Sequence, residues 1–251
     1  MAGQWRLVDG KAGKLRVYVT PGEGAGPSRG PVLLLCHELP RGPAGATDAG
    51  RGYPALADRL AEECGSRVVV GMLRGAAGSE GNFSANGWLE DLGSVADAVR
   101  GPGGSTWVVG FGLGAAMALR LATGDERVCG VASVAGPADL AGWVANLDAV
   151  LTRCRRSGVI STPQFPPDPG AWVGELVALA PLDAAAHLGS RPLLVMHGSD
   201  DAEVPVAAAR ALADAATEGP VDLRIVPGAG HWLRADPRVV ATLVGWIERH
   251  R

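Results

Sequence analysis

The run TWVVGFGLGAAMALRLA, Thr106 to Ala122, joins a strand to a helix with almost nothing between them. Thr106–Gly110 is a short, continuous apolar run, the pattern of a strand buried on both faces. From Leu113 to about Ala122 the chain is rich in alanine and leucine, the best helix formers. The joint is Gly110-Phe111-Gly112-Leu113-Gly114. Glycine on alternate positions permits a sharp turn and a close approach of helix to strand.

Working outward, the same alternation recurs. Toward the N-terminus lie an apolar strand Pro31–Cys36, a helix from about Tyr53 to Cys64, a strand Arg67–Met72 and a helix Trp88–Arg100. Gly101-Pro102-Gly103-Gly104 stops that last helix. Two further strands, Trp5–Val8 and Leu15–Val19, precede the alternation. Toward the C-terminus come the strand Val128–Val134 and, after a gap, the strand Pro192–His197, the helix Val206–Ala216, the strand Val221–Val226 and a helix from about Arg238 to His250. Strands alternating with helices predict an α/β protein, a mostly parallel, doubly wound sheet with helices on both faces. In the gap, residues 137–189, no strand is readable. Leu140–Arg156 has a helical pattern, and the proline-rich Ser161–Pro169 excludes regular structure. The expectation is one domain over residues 1–251, with residues 137–189 a small cap inserted within it.

Composition narrows the function classes. A net charge of −3 offers no electrostatic attraction for nucleic acid or an anionic membrane. No apolar run reaches transmembrane length, and the polar first ten residues do not read as a signal peptide. Cys36, Cys64, Cys129 and Cys154 lack metal-site spacing and are expected to be reduced thiols in a cytoplasm, with Cys36 and Cys129 as core filler. The arginine-, alanine- and glycine-rich usage is that expected of a G+C-rich bacterial gene. Neither a metal nor another cofactor is expected.

Three loops carry the chemistry, each just beyond a strand, where doubly wound sheets form their ligand crevice. They are the glycine joint at 110–114, His197-Gly198-Ser199-Asp200-Asp201-Ala202-Glu203-Val204-Pro205, and Gly228-Ala229-Gly230-His231. Their order, joint then acid then histidine, resembles that of the α/β-hydrolase superfamily. Within it the chain looks most like small bacterial esterases, dienelactone hydrolases and peptidase-related enzymes. Leu73-Arg74-Gly75 through Gly78-Ser79-Glu80-Gly81, with Phe83 and Trp88, is similar to their loop after the fourth strand, and His37 and Pro40 resemble their oxyanion loop.

The resemblance implies that Asp201 is the triad acid, with Asp200 the competing carboxylate, and His231 the base. Gly112 stands where the nucleophile should be. Backbone N–H groups of Leu39 and Leu113 would form the oxyanion hole, since such donors are indifferent to side chain. Without a hydroxyl at 112 there is no acyl-enzyme, so serine-type catalysis is not expected. Ser133 and Ser199 are weaker candidate nucleophiles. Glu38 replaces the glycine usual after the strand-three histidine. A loop glutamate is expected to face solvent; turned inward, it would repel an oxyanion by about 3 kcal/mol at about 5 Å or supply an acid–base group. Trp143, Phe165 and Trp172 either line an apolar pocket or form the cap's own small core. His37 and His197 are expected to orient their loops, and His187 and His250 to lie on the surface.

The expectation for function is a small-molecule-binding pseudo-hydrolase without serine esterase activity. One alternative is an active hydrolase or lyase on an ester- or lactone-like small molecule with the His231–Asp201 dyad as general base. The other is an interaction subunit whose crevice no longer matters. An open apolar pocket with His231 exposed favours the first two; a crevice filled by Leu39, Leu113 or cap residues favours the third. The expected partner is a small molecule, with no nucleic acid and no membrane, and a homodimer is left open.

Overall fold

The computed structural model describes residues 2–21, 31–43, 45–101 and 103–250. Met1, and Pro102 of the helix stop, lie outside the described residues. Among the described residues eight strands form one sheet: β1 (Gln4–Gly10), β2 (Gly13–Val19), β3 (Val32–Cys36), β4 (Val68–Gly71), β5 (Thr106–Phe111), β6 (Val128–Val134), β7 (Leu193–Gly198) and β8 (Val221–Val226). Their spatial order is β1-β2-β4-β3-β5-β6-β7-β8. β1 and β2 form an antiparallel hairpin that pairs antiparallel to β4, and every later pairing is parallel.

Alternation across the pleat explains how the sheet is covered. In β3, Leu34 and Cys36 join one apolar cluster while Leu33 and Leu35 join another on the opposite face. The first cluster takes the inner sides of α2 (Ala85–Val99), α3 (Leu113–Gly124) and α8 (Val206–Ala215); the second takes α1 (Gly45–Cys64) and α9 (Pro237–His250). Burial on both faces is why β3, β5 and β6 read as unbroken apolar runs.

α1 starts at Gly45, eight residues before the start read from sequence, and carries Pro54 inside it. Glycine-rich sequence and an internal proline both disfavour a helix. Packing overrides them: Ala49 and Tyr53, one turn apart, are buried, and the Ala77 amide donates to the Ala46 carbonyl at 2.8 Å. Leu140–Arg156 is two helices, α4 (Ala141–Val144) and α5 (Leu147–Ser157). Asn146 separates them because its side chain caps the second, accepting from the Ala149 amide. Two more short helices, α6 (Pro169–Val177) and α7 (Pro181–Ala186), escaped the sequence reading. Each begins with a proline at the first turn, and Asp168 caps α6.

Of the two cysteines read as core filler, Cys36 is buried but Cys129 is only partly so, because β6 turns it toward the Thr106 carbonyl, which accepts from its Sγ at 3.3 Å. No described helix is long and apolar enough to cross a membrane.

Candidate functional site

β5 runs into α3 through Gly112 alone, held at φ 53°, ψ −122°. That combination lies outside the regions open to L-residues and suits glycine. The Gly112 amide donates to the Val134 carbonyl at 2.9 Å, which ties the turn to β6. The flanking glycines answer to sterics. A Cβ on Gly110 would lie 2.2 Å from the Gly114 carbonyl oxygen, and one on Gly114 would lie 2.5 Å from the Cys36 and His37 oxygens. A Cβ on Gly112 would meet no backbone but would crowd a side chain, 3.2 Å from Glu38 Cβ and 3.5 Å from His231 Nε2.

Asp201 follows β7 and is fixed at both oxygens. Oδ1 accepts from the Glu203 and Val204 amides at 2.9 Å, and Oδ2 accepts from His231 Nδ1 at 2.8 Å. His197 Nε2 donates to the Val204 carbonyl at 2.9 Å and lies 3.2 Å from Asp201 Oδ2, so this histidine braces the loop. Asp200 instead accepts from the Ser199 hydroxyl. With its Nδ1 engaged, the His231 ring presents Nε2 toward Gly112 and Glu38.

Glu38 departs from the solvent-facing expectation. It is 8% exposed, and its Oε2 lies 3.7 Å from His231 Nε2, too far for a hydrogen bond. Two contacts turn it inward. Arg234 Nε is 3.4 Å from its other oxygen, and its backbone N–H donates to the Tyr53 hydroxyl at 2.9 Å. Just before it, His37 is sealed in the core: its Nδ1–H donates to the Glu38 carbonyl and its Nε2 accepts from the Leu73 amide at 3.1 Å.

That burial pushes the His37 pKa down from 6.5 to about 4, with the Glu38 hydrogen bond and Asp91 acting in the opposite sense. The unfolded chain takes up a proton near pH 6.5 that folded His37 refuses until about pH 4. Stability therefore falls as pH drops through that window, by about 3 kcal/mol in total from this group, and levels off below it. Urea denaturation at pH 7, 5.5 and 4.5 should show a shallower decline for His37→Gln than for wild type; parallel declines would show that His37 is not the titrating group.

A cleft of about 710 Å³ opens over these groups. Glu38, Leu39, Gly112, Leu113 and His231 form its floor. Leu140, Trp143 and Arg153, from the segment between β6 and β7, form one wall, and Glu203, Val204 and Pro205 another. Of the three pocket aromatics read from sequence, Trp143 alone lines this cleft. Trp172 is 2% exposed, packed edge-on to Phe83 with its indole N–H on the Phe83 carbonyl, and Phe165 packs against the same core. Trp172 serves as local core because its helix, α6, lies against α2.

Ser133 is fully buried, and the Ser199 hydroxyl is engaged by Asp200 and the Gly228 amide. His187 is exposed as expected, whereas His250 is largely covered, beside Trp246. Among the described residues no group of three or more His, Cys, Asp or Glu side chains is placed to hold a metal ion. The sequence reading missed Arg41, Arg153 and Arg234, which come to the cleft or to Glu38 from three separate segments. Only Arg234, three residues beyond His231, carried a positional hint.

Comparison with known proteins agrees with this architecture. Among solved structures, DcsB in complex with its substrate analogue superposes with a TM-score of 0.74 at 15% identity, covering 99% of this chain and 98% of that one. An α/β serine hydrolase homologue from Coxiella burnetii gives 0.65 at 20% identity, covering 99% and 97%. The esterase Pf2001 from Pyrococcus furiosus gives 0.70 at 14% identity, covering 98% and 92%. At such identities the likeness shows a shared α/β-hydrolase fold. No curated protein matches the chain in sequence. The family model of the prolyl oligopeptidases matches residues 106–251, more than half of the chain, from β5 through the last helix. This α/β-hydrolase-fold chain thus belongs to the prolyl oligopeptidase family.

Proposed function

We propose that the protein binds a small molecule in the cleft over Gly112 and has no serine-type esterase activity. One observation carries the reading: the turn between β5 and α3 offers no side chain, and the Glu38 carboxylate faces His231 Nε2 from 3.7 Å on that same side. Without a hydroxyl no acyl-enzyme forms. A carboxylate beside the place where an oxyanion would develop opposes that charge instead of stabilising it. The Leu39 and Leu113 amides, proposed as oxyanion donors, would then face a site that no longer generates the anion. The open cleft supports a small-molecule ligand over an interaction role, because Leu39, Leu113 and the segment 137–189 line it and leave it unfilled.

A second reading has a specific observation in its favour. Asp201 holds His231 at 2.8 Å with Nε2 directed toward the cleft, the geometry of a general base acting on water or on a substrate proton. The two readings separate in one experiment. Wild type is expected to escape labelling by fluorophosphonate probes and to turn over p-nitrophenyl acetate no faster than His231→Ala. Labelling that maps to Ser133 or Ser199 would reveal a relocated nucleophile. Turnover above the His231→Ala control would favour the general-base reading.

A further inference from the structure

The ionic groups of the cleft are unevenly matched. Glu38 has Arg234 at 3.4 Å, Glu203 is paired with Arg41, and Asp201 has His231 and two backbone amides. Asp139 spends an oxygen on the Ala141 amide at the start of α4. Arg153, on α5, has no such counterpart. Among the described residues no carboxylate lies within 4.0 Å of it, its Nε is buried without a hydrogen-bond partner, and its guanidinium sits 6.0 Å from the centre of the Trp143 ring. The Nε of Arg41, also on the cleft, is likewise buried and unpartnered. The two cations feel one another. Burial first, and then the Arg153 charge, hold the Arg41 guanidinium below its ordinary value, against the opposing pull of Glu38 and Asp201; burial does the same to Arg153, against weaker pulls from Cys154 and Glu38. A partly buried cation without a counter-ion is costly, and an anion placed beside it recovers that cost.

We propose that the cleft takes a small molecule bearing one carboxylate, held by the Arg153 guanidinium with Arg41 beside it, its apolar body resting on Trp143 and Leu140. This rests on the reading of the cleft as a small-molecule site. A monoanion is favoured over a phosphate dianion because Glu203 already neutralises Arg41, which leaves Arg153 as the one cation lacking a partner among the described cleft residues. Arginine suits the task because its planar fork meets both carboxylate oxygens at once. The rest of the molecule then lies toward the floor, where His231 and Glu38 are.

The test is isothermal titration of the intact protein with 3-phenylpropionate, its neutral counterpart 3-phenylpropanamide, and phenyl phosphate. The carboxylate should bind at least about tenfold more tightly than the amide, as charge-assisted hydrogen bonds allow, and no more weakly than the phosphate. Arg153→Gln should lose about tenfold for the carboxylate and nothing for the amide; Arg153→Lys should lose less. Equal binding of acid and amide overturns the proposal on wild-type protein alone, whatever the variants do, and leaves the small-molecule reading standing. Tighter binding of the phosphate, or unchanged carboxylate affinity in a folded Arg153→Gln, overturns it as well. Failure of all three probes to bind at about 10 mM counts against both. Because the readout is binding, esterase turnover by the wild type would sink the proposed function without touching this result.

Discussion

Gly112→Ser is expected to hydrolyse p-nitrophenyl acetate above the background of the same variant carrying His231→Ala. The built Cβ at position 112 lies 3.5 Å from His231 Nε2, so a serine hydroxyl one bond further out comes within reach of that nitrogen. Asp201 already holds the ring by Nδ1, as a general base requires. The gain should be about tenfold over background, because Glu38 intrudes: its Cβ is 3.2 Å from the new Cβ, closer than most neighbours tolerate, and its charge opposes the oxyanion. Adding Glu38→Gly removes both obstacles. Relief of about 3 kcal/mol at about 5 Å corresponds to a further gain of about a hundredfold. Gly112→Ser should also lose about 1–3 kcal/mol of stability, since the residue must keep a backbone conformation that glycine holds without strain. A folded double variant still at the His231→Ala level would show that the cleft departs from esterase geometry beyond these two residues.

Asp91→Ala is expected to cost the most stability of any single change away from the cleft, about 3–5 kcal/mol. Asp91 is 1% exposed on α2 and takes a two-pronged ion pair from Arg74, with the Arg74 backbone amide on the same carboxylate at 2.8 Å. Truncation leaves a nearly buried guanidinium facing only Glu90, at 3.2 Å. For a chain of this size the midpoint of thermal unfolding should drop by about 6–20 °C. Denaturant titration and a thermal melt both measure it. Replacing the two partners together, Arg74→Met with Asp91→Leu, should cost less than Asp91→Ala, because no charge is then stranded. If the double change costs more, shape rather than charge pairing holds this loop. The loop matters to the cleft because the Leu73 amide is the donor that fixes His37, and His37 positions Glu38.

Much of this protein was determined by local sequence. Continuous apolar strands, helix-forming stretches between them and a glycine joint gave an α/β sheet in the right order, because burial on both faces leaves a signature in neighbouring residues. Val128–Val134 and Val221–Val226 match the observed strands residue for residue. The placement of Gly112, Asp201 and His231 beyond the ends of three strands, β5, β7 and β8, was legible for the same reason: parallel strands bring their C-terminal loops to one edge.

What only the tertiary structure decided involves residues far apart in the chain. The first turns of α1 are helical because they dock on the loop around Ala77, against their own glycines and proline. Glu38 turns inward because Arg234, nearly two hundred positions later, meets it there. Trp172 and Phe165 go to core and Trp143 to the cleft because four short helices must pack between β6 and β7 without a periodic pattern to announce them. Arg153 comes to the cleft for the same reason. Side-chain direction in loops and short helices is set by contacts across the fold, and no spacing in the sequence encodes those.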